Sequence, residues 1–478
     1  MAPPPITPPD LLSAIPPPVL CLLARLWAAG QSGYVVGGSL RDVLLGREPA
    51  DWDLATDARP DRMLEIFPGA VYENRFGTVA VREAGEVYEI TTFRSDHDYA
   101  DFRRPHRIEF GDSIELDLAR RDFTVNAIAW GAQAANPGLD REASASAGKP
   151  AAASSGSSAT PPHLVDPFGG QADVNARLLR AVGDPVARFE EDALRMIRAV
   201  RLATTLGFAL EPATRAAIEA RAEVAAHLSG ERIAAELEKL LAAEVPSTGL
   251  DLLARTGLLA VILPELAAEH GIRQNKVVGE DLWRHTLRAV DAVPVGRPVV
   301  RLAALLHDIG KPATLADGHF PGHQSAGATM AAAVMARLRM PRSVAERVVH
   351  LVRNHMFPYQ AEWGDPGVRR FIARIGEDAL DDLFLLRAAD NAGSGGGADP
   401  LLDELRRRVD EQIAARVVLD RSRLAVNGQD LISELGVTPG PGLGHVLDEL
   451  LERVLADPSL NERPTLLLLA QSMLADEG

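Results

Sequence analysis

The chain has 478 residues, 46% of them hydrophobic and 24% charged, which is a globular composition with more residues than one hydrophobic core normally holds. The formal net charge of −16 excludes a generally basic nucleic-acid binder, so any RNA-binding surface must be a local basic patch. The single cysteine, Cys21, excludes an internal disulfide framework and favours a reducing, cytoplasmic location. No apolar run approaches the length of a membrane span, so no transmembrane helix is expected.

The first third of the chain predicts a small mixed α/β region. A helix is expected over Val19–Ala29, between a proline run and a glycine. Four β-prone segments follow, at Tyr34–Val36, Asp51–Ala55, Thr78–Val81 and Val87–Phe93. Gln133–Pro162 is rich in Ala, Ser, Gly and Pro and cannot bury an apolar face, so it is predicted to be a flexible insertion.

From Val174 onward, apolar residues recur three and four apart, which predicts helices almost without interruption. The first predicted helices are Ala187–Leu206, Pro212–Ala226, Gly230–Ala243 and Ser247–Leu263. A second helical block runs from Leu282 to about Ala389, and a glycine-rich segment separates it from C-terminal helices. The predicted fold class is therefore α+β, with a small mixed α/β head followed by all-α domains.

The stretch around a Gly-Gly pair carries the first chemical signal. Gly37 and Gly38 follow a short strand and precede a helix, so backbone N–H groups can approach a phosphate and Arg41 can fork onto its oxygens. Asp51 and Asp53, if they lie on a strand, project from the same face. Two such carboxylates opposite a triphosphate suit Mg²⁺. Each motif alone is usually a turn or a solvated loop, but their order favours nucleotidyl transfer by two metal ions.

This pattern, Gly-Gly-x-x-Arg-Asp followed by Asp-x-Asp, resembles the head motif of the class II nucleotidyltransferases. That family comprises the tRNA CCA-adding enzymes and the bacterial poly(A) polymerases. A second motif, Arg120–Ala127, matches the family completely. The resemblance implies that Arg121 contacts the nucleotide phosphates and that Asp122 and Asn126 support the sugar and the site. From the residues alone, Asp122 or Thr124 could instead be a helix N-cap.

Glu89 lies on a predicted strand and could add a third carboxylate to the two aspartates. In the family, an acid on such a strand helps to hold metal or to orient the primer hydroxyl. From the residues alone, Glu89 could equally be a surface acid on an edge strand. The charged segment that follows, Arg94–Pro105, resembles the mobile loop of the family. Arg103, Arg104 and Arg107, all between Phe93 and Asp112, are candidate phosphate contacts.

A fourth motif, Glu191-Asp192-x-x-Arg195, falls within a predicted helix. By default it is an ion-paired helical face, but an acid and an arginine can also present an acceptor and a fork of donors to a base edge. The family uses E-D-x-x-R in this way, which implies that these three residues select C and A without a nucleic-acid template. Arg198 and Arg201 lie further round the helix and are expected to meet phosphate or primer.

Two shorter matches lie nearby. Asp166–Gly170 resembles the neck motif, whose glycines let the head pivot, although a simple turn explains it equally well. Gly230–Ile233, with Glu236 and Lys239, resembles the fifth family motif and is interpreted as structural.

The second helical block carries imidazole and carboxylate side chains at helix-to-helix separations. These are His285, His307, Asp308, His323, His355 and Asp390. A lone histidine is usually a core residue, but several of them with an adjacent His-Asp pair favour a metal site of the Mn²⁺, Fe²⁺, Ni²⁺ or Zn²⁺ kind. The block resembles the HD phosphohydrolase superfamily, which implies an intact site for a metal such as Mn²⁺ or Ni²⁺ and hydrolysis of 2′,3′-cyclic or terminal phosphates. Lys311 could meet a substrate phosphate.

The combined resemblance implies template-independent addition of CCA to the 3′ end of tRNA from CTP and ATP, with Mg²⁺ in the head. A poly(A) polymerase, or an enzyme that adds only CC or only A, is the nearest alternative. An HD phosphohydrolase with a non-catalytic, RNA-binding head is an alternative of another class. The expected partners are tRNA or another RNA 3′ end, CTP and ATP, with no membrane and no obligate protein partner.

The resemblance spans nearly the whole chain and implies the following domains: an N-terminal tail and helix (1–30), the nucleotidyltransferase head (31–132), the flexible insertion (133–163), a helical neck and body for base and RNA binding (164–270), an HD phosphohydrolase-like domain (271–400) and a helical tail (401–478).

Overall fold

A computed structural model describes residues 8–74, 77–100, 104–133, 161–274, 277, 279–415 and 419–476. Most of the predicted insertion, the residues before Pro8 and the candidate contact Arg103 lie outside these ranges. The chain forms two compact units. The first contains Met1–Leu240 and Thr248–Ile262, and the second contains Leu241–Ser247 and Leu263–Gly478.

Among the described residues, the strands all lie in the first unit. They are β1 (Gly33–Val36), β2 (Asp53–Thr56), β3 (Val71–Asn74), β4 (Thr78–Glu83), β5 (Glu86–Thr92), β6 (Arg94–Ala100), β7 (Arg104–Phe110), β8 (Ala129–Ala132), β9 (His163–Val165), β10 (Leu178–Leu179) and β11 (Ala209–Leu210).

Seven of these strands form one sheet, in the order β3-β4-β5-β2-β1-β8-β9. β2 and β5 are parallel, and the other neighbours in this sheet are antiparallel. Buried side chains such as Tyr34, Val36, Phe93 and Leu118 pack on it as one hydrophobic cluster. β1 therefore lies inside the sheet, with paired strands on both sides, and its end is held rigidly.

The helices up to Ile262 are α1 (Pro8–Ala14), α2 (Pro17–Ala28), α3 (Gly38–Leu44), α4 (Pro60–Ile66), α5 (Ile114–Ala119), α6 (Gly170–Ala176), α7 (Pro185–Glu191), α8 (Leu194–Leu206), α9 (Pro212–Arg221), α10 (Gly230–Leu241), α11 (Pro246–Arg255) and α12 (Leu258–Ile262), with 3₁₀ helices at Thr124–Asn126 and Ala222–His227.

The later helices are α13 (Pro264–Ala267), α14 (Leu282–Ala292), α15 (Pro298–Leu306), α16 (Lys311–Thr314), α17 (His323–Arg337), α18 (Arg342–Asn354), α19 (Asp365–Ile375), α20 (Glu377–Gly393), α21 (Pro400–Ala414), α22 (Gly428–Leu435), α23 (Pro441–Ala456) and α24 (Arg463–Asp476), with 3₁₀ helices at Arg421–Arg423 and Pro458–Leu460.

The α+β prediction is confirmed, because a small mixed sheet is followed by an almost entirely helical chain. No helix in the described ranges is both long and apolar enough to cross a membrane.

Four local predictions were wrong, three of them in the head and at the fourth motif. Asp51 lies outside any strand, because β2 begins at Asp53, opposite Val36, the last residue of β1. The segment predicted as a mobile loop is instead the antiparallel ribbon of β6 and β7, in which Arg94 pairs with Phe110. The helix predicted over Ala187–Leu206 is two helices.

That break lies at Asp192, whose backbone is extended with φ −149° and ψ 105°. The Asp192 side chain accepts a hydrogen bond from the backbone N–H of Leu194 at 3.0 Å. A carboxylate in this position satisfies one of the donors that a helix start leaves unpaired, so it favours a new helix over continuation of the old one. Similarly, the segment predicted as one helix over Ser247–Leu263 is divided by Gly257, where φ is +79°.

Gly170, in the segment that resembles a pivoting neck, lies at a close contact. A Cβ atom there would overlap the carbonyl oxygen of Thr124 and lie 2.7 Å from Cγ1 of Ile128. Thr124 itself donates a hydrogen bond to Asp173 at 2.6 Å, which ties the second motif to α6.

We therefore expect Gly170→Ala to lower the free energy of unfolding by about 1–3 kcal/mol, because the backbones must separate to admit the methyl group. Urea denaturation measures this change. Gly111→Ala is the control, since a Cβ at Gly111 would meet no atom within 4 Å. Equal stability of the two variants would contradict the prediction.

A candidate nucleotide cleft and a candidate metal centre

The Gly-Gly turn lies directly beside the first acid of the motif. Gly37 has φ +81°, which favours glycine. A Cβ at this position would lie 2.8 Å from Nη1 of Arg121 and 3.9 Å from Oδ2 of Asp53. The turn, the arginine of the second motif and the acid at the start of β2 therefore surround the same small space, as the sequence predicted.

The three candidate acids lie near one another. Because Leu54 pairs with Ile90 in the parallel β2–β5 ladder, Asp53 and Glu89 occupy neighbouring positions on one face. Lost solvation raises the pKa of Asp53, and Asp51 raises it further while Arg121 opposes the rise. The pKa of Glu89 is raised by lost solvation and by Glu73, Asp53 and Asp51. This cluster concentrates carboxylates that Arg121 compensates only in part, which fits a divalent cation with oxygen ligands.

Arg121 is held by a buried acid. Both Arg120 and Arg121 donate to Asp117, whose side chain is 1% exposed, with nitrogen–oxygen distances of 2.6 and 3.2 Å. Burial alone would raise the pKa of Asp117, but the two arginines outweigh it and lower the pKa. Nε of Arg121 is buried and has no hydrogen-bond partner among the described residues. Arg121 is thus fixed in place with an N–H still available.

Asn126 and Asp122 link the first and second motifs. Nη1 of Arg41 donates to Oδ1 of Asn126 at 2.6 Å, and Nδ2 of Asn126 donates to Oδ1 of Asp122 at 3.0 Å. The remaining Arg41 nitrogens fork onto Asp42 at 2.9–3.0 Å. Asp122 is not the N-cap of the short 3₁₀ helix, since Phe123 takes that position without a side-chain cap.

Asp122 also connects to the helical region. Its Oδ2 accepts from Nη2 of Arg198 at 2.7 Å, and Arg198 and Arg201 both contact Glu236, at 3.6 and 2.9 Å. Burial would raise the pKa of Asp122, but Arg198 and Asn126 lower it to about 2. We call the chain of contacts from Arg41 through Asp122 to Glu236 the cleft relay.

The residues of the fourth motif have different surroundings. Glu191 accepts from Arg195 at 2.5 Å and from Arg188 at 2.9 Å. Asp192 does not pair with Arg195, as an unbroken helix would have allowed, but with Arg232 of α10 at 2.7 Å.

These elements enclose a cleft of about 520 Å³, a size typical of small-molecule sites. It is lined by Gly37, Gly38, Arg41, Asp53, Arg120, Arg121, Asp122, Asn126, Asp192, Leu194, Arg195, Arg198, Arg201, Leu202 and Arg232. Seven arginines face three aspartates there, so an acidic protein contains the local basic site that its net charge required. Asp51, Glu89 and Glu191 are not among the lining residues.

Sequence reasoning missed Arg232 as a cleft residue. Its motif was interpreted as structural, although it contains an arginine and an acid, Glu236, one helical turn apart. The sequence alone does not separate this i, i+4 pair from an ordinary exposed ion pair, because the burial of Glu236 and the position of Arg232 in the cleft depend on the packing of α10.

The histidine cluster of the second unit also assembles. One group, formed by His285, His307, Asp308 and Asp390, and a second, formed by Asp308, His323 and His355, each bring their ligand atoms within 4.8 Å of one another. The six side chains are buried. Oδ2 of Asp308 lies 3.2 and 3.1 Å from Nε2 of His285 and His307, whereas Oδ1 lies 3.5 and 3.6 Å from Nε2 of His323 and His355. One carboxylate therefore bridges the two groups.

Backbone carbonyls orient three of the four imidazoles. Nδ1 of His307, His323 and His355 lies 2.7–2.9 Å from the carbonyl oxygens of Ala304, Phe320 and Val352. When Nδ1–H donates to a carbonyl, Nε2 carries the lone pair of the ring, and this tautomer can bind a metal through Nε2. Burial lowers the pKa of His307 and of His323, which also favours neutral imidazoles.

Two cations border the carboxylates of this cluster. Nζ of Lys311 lies 2.5 Å from Oδ2 of Asp308, and Nη1 of Arg387 lies 3.1 Å from Oδ2 of Asp390. Such cations suit an anionic substrate beside a metal.

Comparisons with known proteins agree with this geometry. Residues 33–140 match the Poly A polymerase head domain, and residues 207–269 match a probable RNA and SrmB-binding site of polymerase A. Residues 266–394 match the HD domain.

A CCA-adding enzyme of Geobacillus kaustophilus is 34% identical over 453 residues, which cover 93% of this chain and 94% of that protein. The chain belongs to the CCA-adding enzyme family. Another family member, from Geobacillus thermodenitrificans, is 35% identical and covers 93% of the chain and 94% of its own length.

Solved structures of the family share the fold. The Bacillus stearothermophilus CCA-adding enzyme in complex with CTP aligns with a TM-score of 0.68 and 29% identity, over 97% of this chain and 99% of that one. The Thermotoga maritima enzyme complexed with tRNA aligns over 97% of each chain with a TM-score of 0.56 and 19% identity, which shows the likeness of fold alone.

The lowered pKa of Asp122 predicts a pH-dependent contribution to stability. An aspartate of unfolded pKa near 4 and folded pKa of about 2 stabilises the fold by about 2 kcal/mol above pH 4 and loses this contribution as the pH falls through 2. We expect Asp122→Asn to lower the free energy of unfolding by roughly this amount at pH 7, with a deficit that shrinks below pH 4. Urea denaturation between pH 7 and pH 3 tests this.

Asp112→Asn serves as the control, because this carboxylate is 84% exposed and its pair with Arg59 should contribute less than about 1 kcal/mol at any pH. A deficit in Asp122→Asn that stays constant down to pH 3 would show that the ion pair is not its source.

Proposed function

We propose that this chain is a cytoplasmic tRNA nucleotidyltransferase that adds CCA to the 3′ end of tRNA from CTP and ATP. The observation that carries the proposal is the arginine-lined cleft, which is lined both by Asp53 of the head motif and by Asp192 and Arg195 of the fourth motif. Relatives of this chain are named as CCA-adding enzymes, and one is described in complex with CTP. Since these relatives match along nearly their whole length, a poly(A) polymerase is the less favoured alternative.

At the phosphate end, the glycine turn leaves space for a triphosphate. Arg121, whose Nη1 lies beside the Gly37 turn, lines the cleft and would bind phosphate oxygens. Arg41 is committed to Asp42 and Asn126 in this structure, so we assign it to holding the turn and to adding positive charge to the site.

At the acid end, Asp51 and Asp53 would hold Mg²⁺, and Glu89 would add negative charge or orient the primer. Bound Mg²⁺ would activate the primer 3′-hydroxyl and stabilise the pyrophosphate leaving group. The raised pKa values of Asp53 and Glu89 support this assignment, because they reflect lost solvation first and repulsion between acids second, and a bound cation would offset both.

At the base end, Asp192 and Arg195 line the cleft and would read the incoming base. Asp192 supplies an acceptor and Arg195 supplies donors, which fits the amino group and ring nitrogen of cytosine or adenine. Glu191 has a supporting role in this proposal, since it anchors Arg195 and lies outside the lining. Arg198 and Arg201 are tied to acids and would contribute positive charge near phosphate or primer.

The test is incubation of purified protein with tRNA that ends at the discriminator base, Mg²⁺ and labelled CTP or ATP. We expect CCA addition by the wild type and a loss of more than about a hundredfold in the rate of CTP incorporation in Asp53→Asn, because a metal ligand is removed.

Asp61→Asn is the matched control, since Asp61 is an exposed aspartate of α4 outside the cleft, and it should retain full activity. ATP-only tailing of unrelated RNA would instead identify a poly(A) polymerase, and an absence of incorporation would refute the transferase.

A second function is favoured by the histidine cluster. We propose that the second unit is a metal-dependent phosphohydrolase that acts on terminal or 2′,3′-cyclic phosphates, with Mn²⁺ or Ni²⁺ held by His285, His307, Asp308 and Asp390. His323 and His355 would hold a second ion, and Asp308 would bridge the two. Such ions would polarise a phosphoryl oxygen and lower the pKa of a bound water. Lys311 would bind the substrate phosphate.

We expect His307→Gln to lose bound metal and with it the hydrolysis of p-nitrophenyl phosphate and 2′,3′-cyclic AMP, because one Nε2 ligand is missing. Elemental analysis after dialysis against Mn²⁺ or Ni²⁺ measures the metal content independently of activity. His319→Gln removes an exposed histidine of the same unit and should retain both properties. A wild type that retains no metal would contradict the proposal.

A further inference from the structure

The Asp192 carboxylate is held through both of its oxygens. Oδ1 accepts from the backbone N–H of Leu194 at 3.0 Å, and Oδ2 accepts from Nη2 of Arg232 at 2.7 Å. The first contact is local to the helix break. The second spans 40 residues of sequence and joins the break to α10. The orientation of this carboxylate therefore depends on a residue outside the fourth motif.

Arg232 has more donors than this contact uses. Its Nη1 is buried and has no hydrogen-bond partner among the described residues, although Arg232 lines the cleft. An arginine whose only role is to stabilise a helix contact is expected to have its buried donors satisfied. The spare N–H groups and the cleft position indicate a side chain that takes part in the site.

One face of α10 is directed at the cleft residues. Glu236, one turn after Arg232, accepts from Arg198 and Arg201, whereas Glu238 and Lys239 are exposed. Through Arg232, α10 thus supplies a cation to Asp192. Through Glu236, it supplies an anion to Arg198 and Arg201. Both contacts orient charged groups that line the cleft.

The chemistry of the bases gives this arrangement a consequence. Cytosine and adenine carry an exocyclic amino donor where uracil and guanine carry a carbonyl acceptor. A carboxylate fixed as an acceptor binds the amino group and repels the carbonyl. A carboxylate that can turn away loses both effects. Discrimination of cytosine and adenine from uracil and guanine then falls more than the overall rate of nucleotide transfer.

We propose that Arg232 is a specificity-determining positioning residue, which fixes Asp192 as the acceptor for the base amino group and so sets the discrimination of CTP from UTP and of ATP from GTP. This inference rests on the proposed transferase function. Arg232 acts through Asp192 and needs no contact with the reacting atoms.

The experiment measures kcat/KM for CTP and for UTP with full-length protein and tRNA that ends at the discriminator base. We expect Arg232→Gln to lower the CTP-to-UTP ratio of kcat/KM by about tenfold or more, with a smaller loss for UTP than for CTP. Arg232→Lys keeps a cation that can reach Asp192 and should restore part of the ratio. A structural role alone would lower both rates together and leave the ratio unchanged.

Arg221→Gln is the matched control. It removes an arginine that pairs with Glu190 on another helix of the same unit but lies outside the cleft, so the ratio should stay at the wild-type value. Thermal melting establishes that each variant is folded. If Arg232→Gln does not fold, Arg232→Lys alone tests the proposal. Lysine lacks the planar fork of donors of arginine, so this variant should still lower the CTP-to-UTP ratio severalfold.

The outcomes separate this inference from the function beneath it. A wild type that incorporates no CTP contradicts the transferase itself. A wild type that adds CCA, together with folded Arg232 variants whose CTP-to-UTP ratio is unchanged, overturns the role of Arg232 and leaves the transferase standing.

Discussion

The first unit depends on one acid that is shared between two parts of the chain. Asp122 accepts hydrogen bonds from Asn126 of its own segment and from Arg198 of α8. Asn126 in turn contacts Arg41, and Arg198 contacts Glu236. Buried ion pairs of this kind are weak evidence for stability, because desolvation offsets much of their attraction. Their effect here is geometric, since they hold arginine side chains in place before any nucleotide is bound, and fixed dipoles and charges need no reorganisation when charge develops.

The local sequence pattern predicted the part of this site that is formed by residues close together in sequence, namely the Gly37 turn and the aspartates after it. Gly37 has to be a glycine, because of its backbone conformation and the proximity of Arg121, and both the turn and the acids that face it could be placed from residue type and spacing. Asp51 was predicted to begin a strand over Asp51–Ala55. The strand cannot extend that far, since its partner ends at Val36 and the chain turns at Gly37. Pairing between strands therefore decided a boundary that single-strand propensity could not.

Contacts between distant residues account for what was missed. Helical periodicity runs through Asp192 without interruption, yet its side chain bonds to the N–H of Leu194 and to Arg232, and these two contacts favour a break over a continuous helix. Neither contact has a sequence signature, because one depends on a change of backbone angle and the other on the packing of α10. The histidine cluster was predictable because several histidines and an adjacent His-Asp pair recur at helix-to-helix separations. The bridging position of Asp308, in contrast, follows from the packing of four helices around it.

The two candidate sites differ in their exposure to solvent and in how their charges are paired. The cleft is open and lined by arginines, so a protein of net charge −16 can attract a triphosphate and an RNA backbone to one place while the rest of its surface repels them. The histidine cluster is buried, and its two carboxylates, Asp308 and Asp390, lie against Lys311 and Arg387 as well as against imidazoles. Charge in the cleft is balanced along a series of connected side chains, such as Asp117 and Glu236, whereas each carboxylate of the cluster has its own neighbouring cation. This difference explains why the cleft residues are tied together in a continuous relay, while the ligands of the cluster are oriented one at a time by backbone carbonyls.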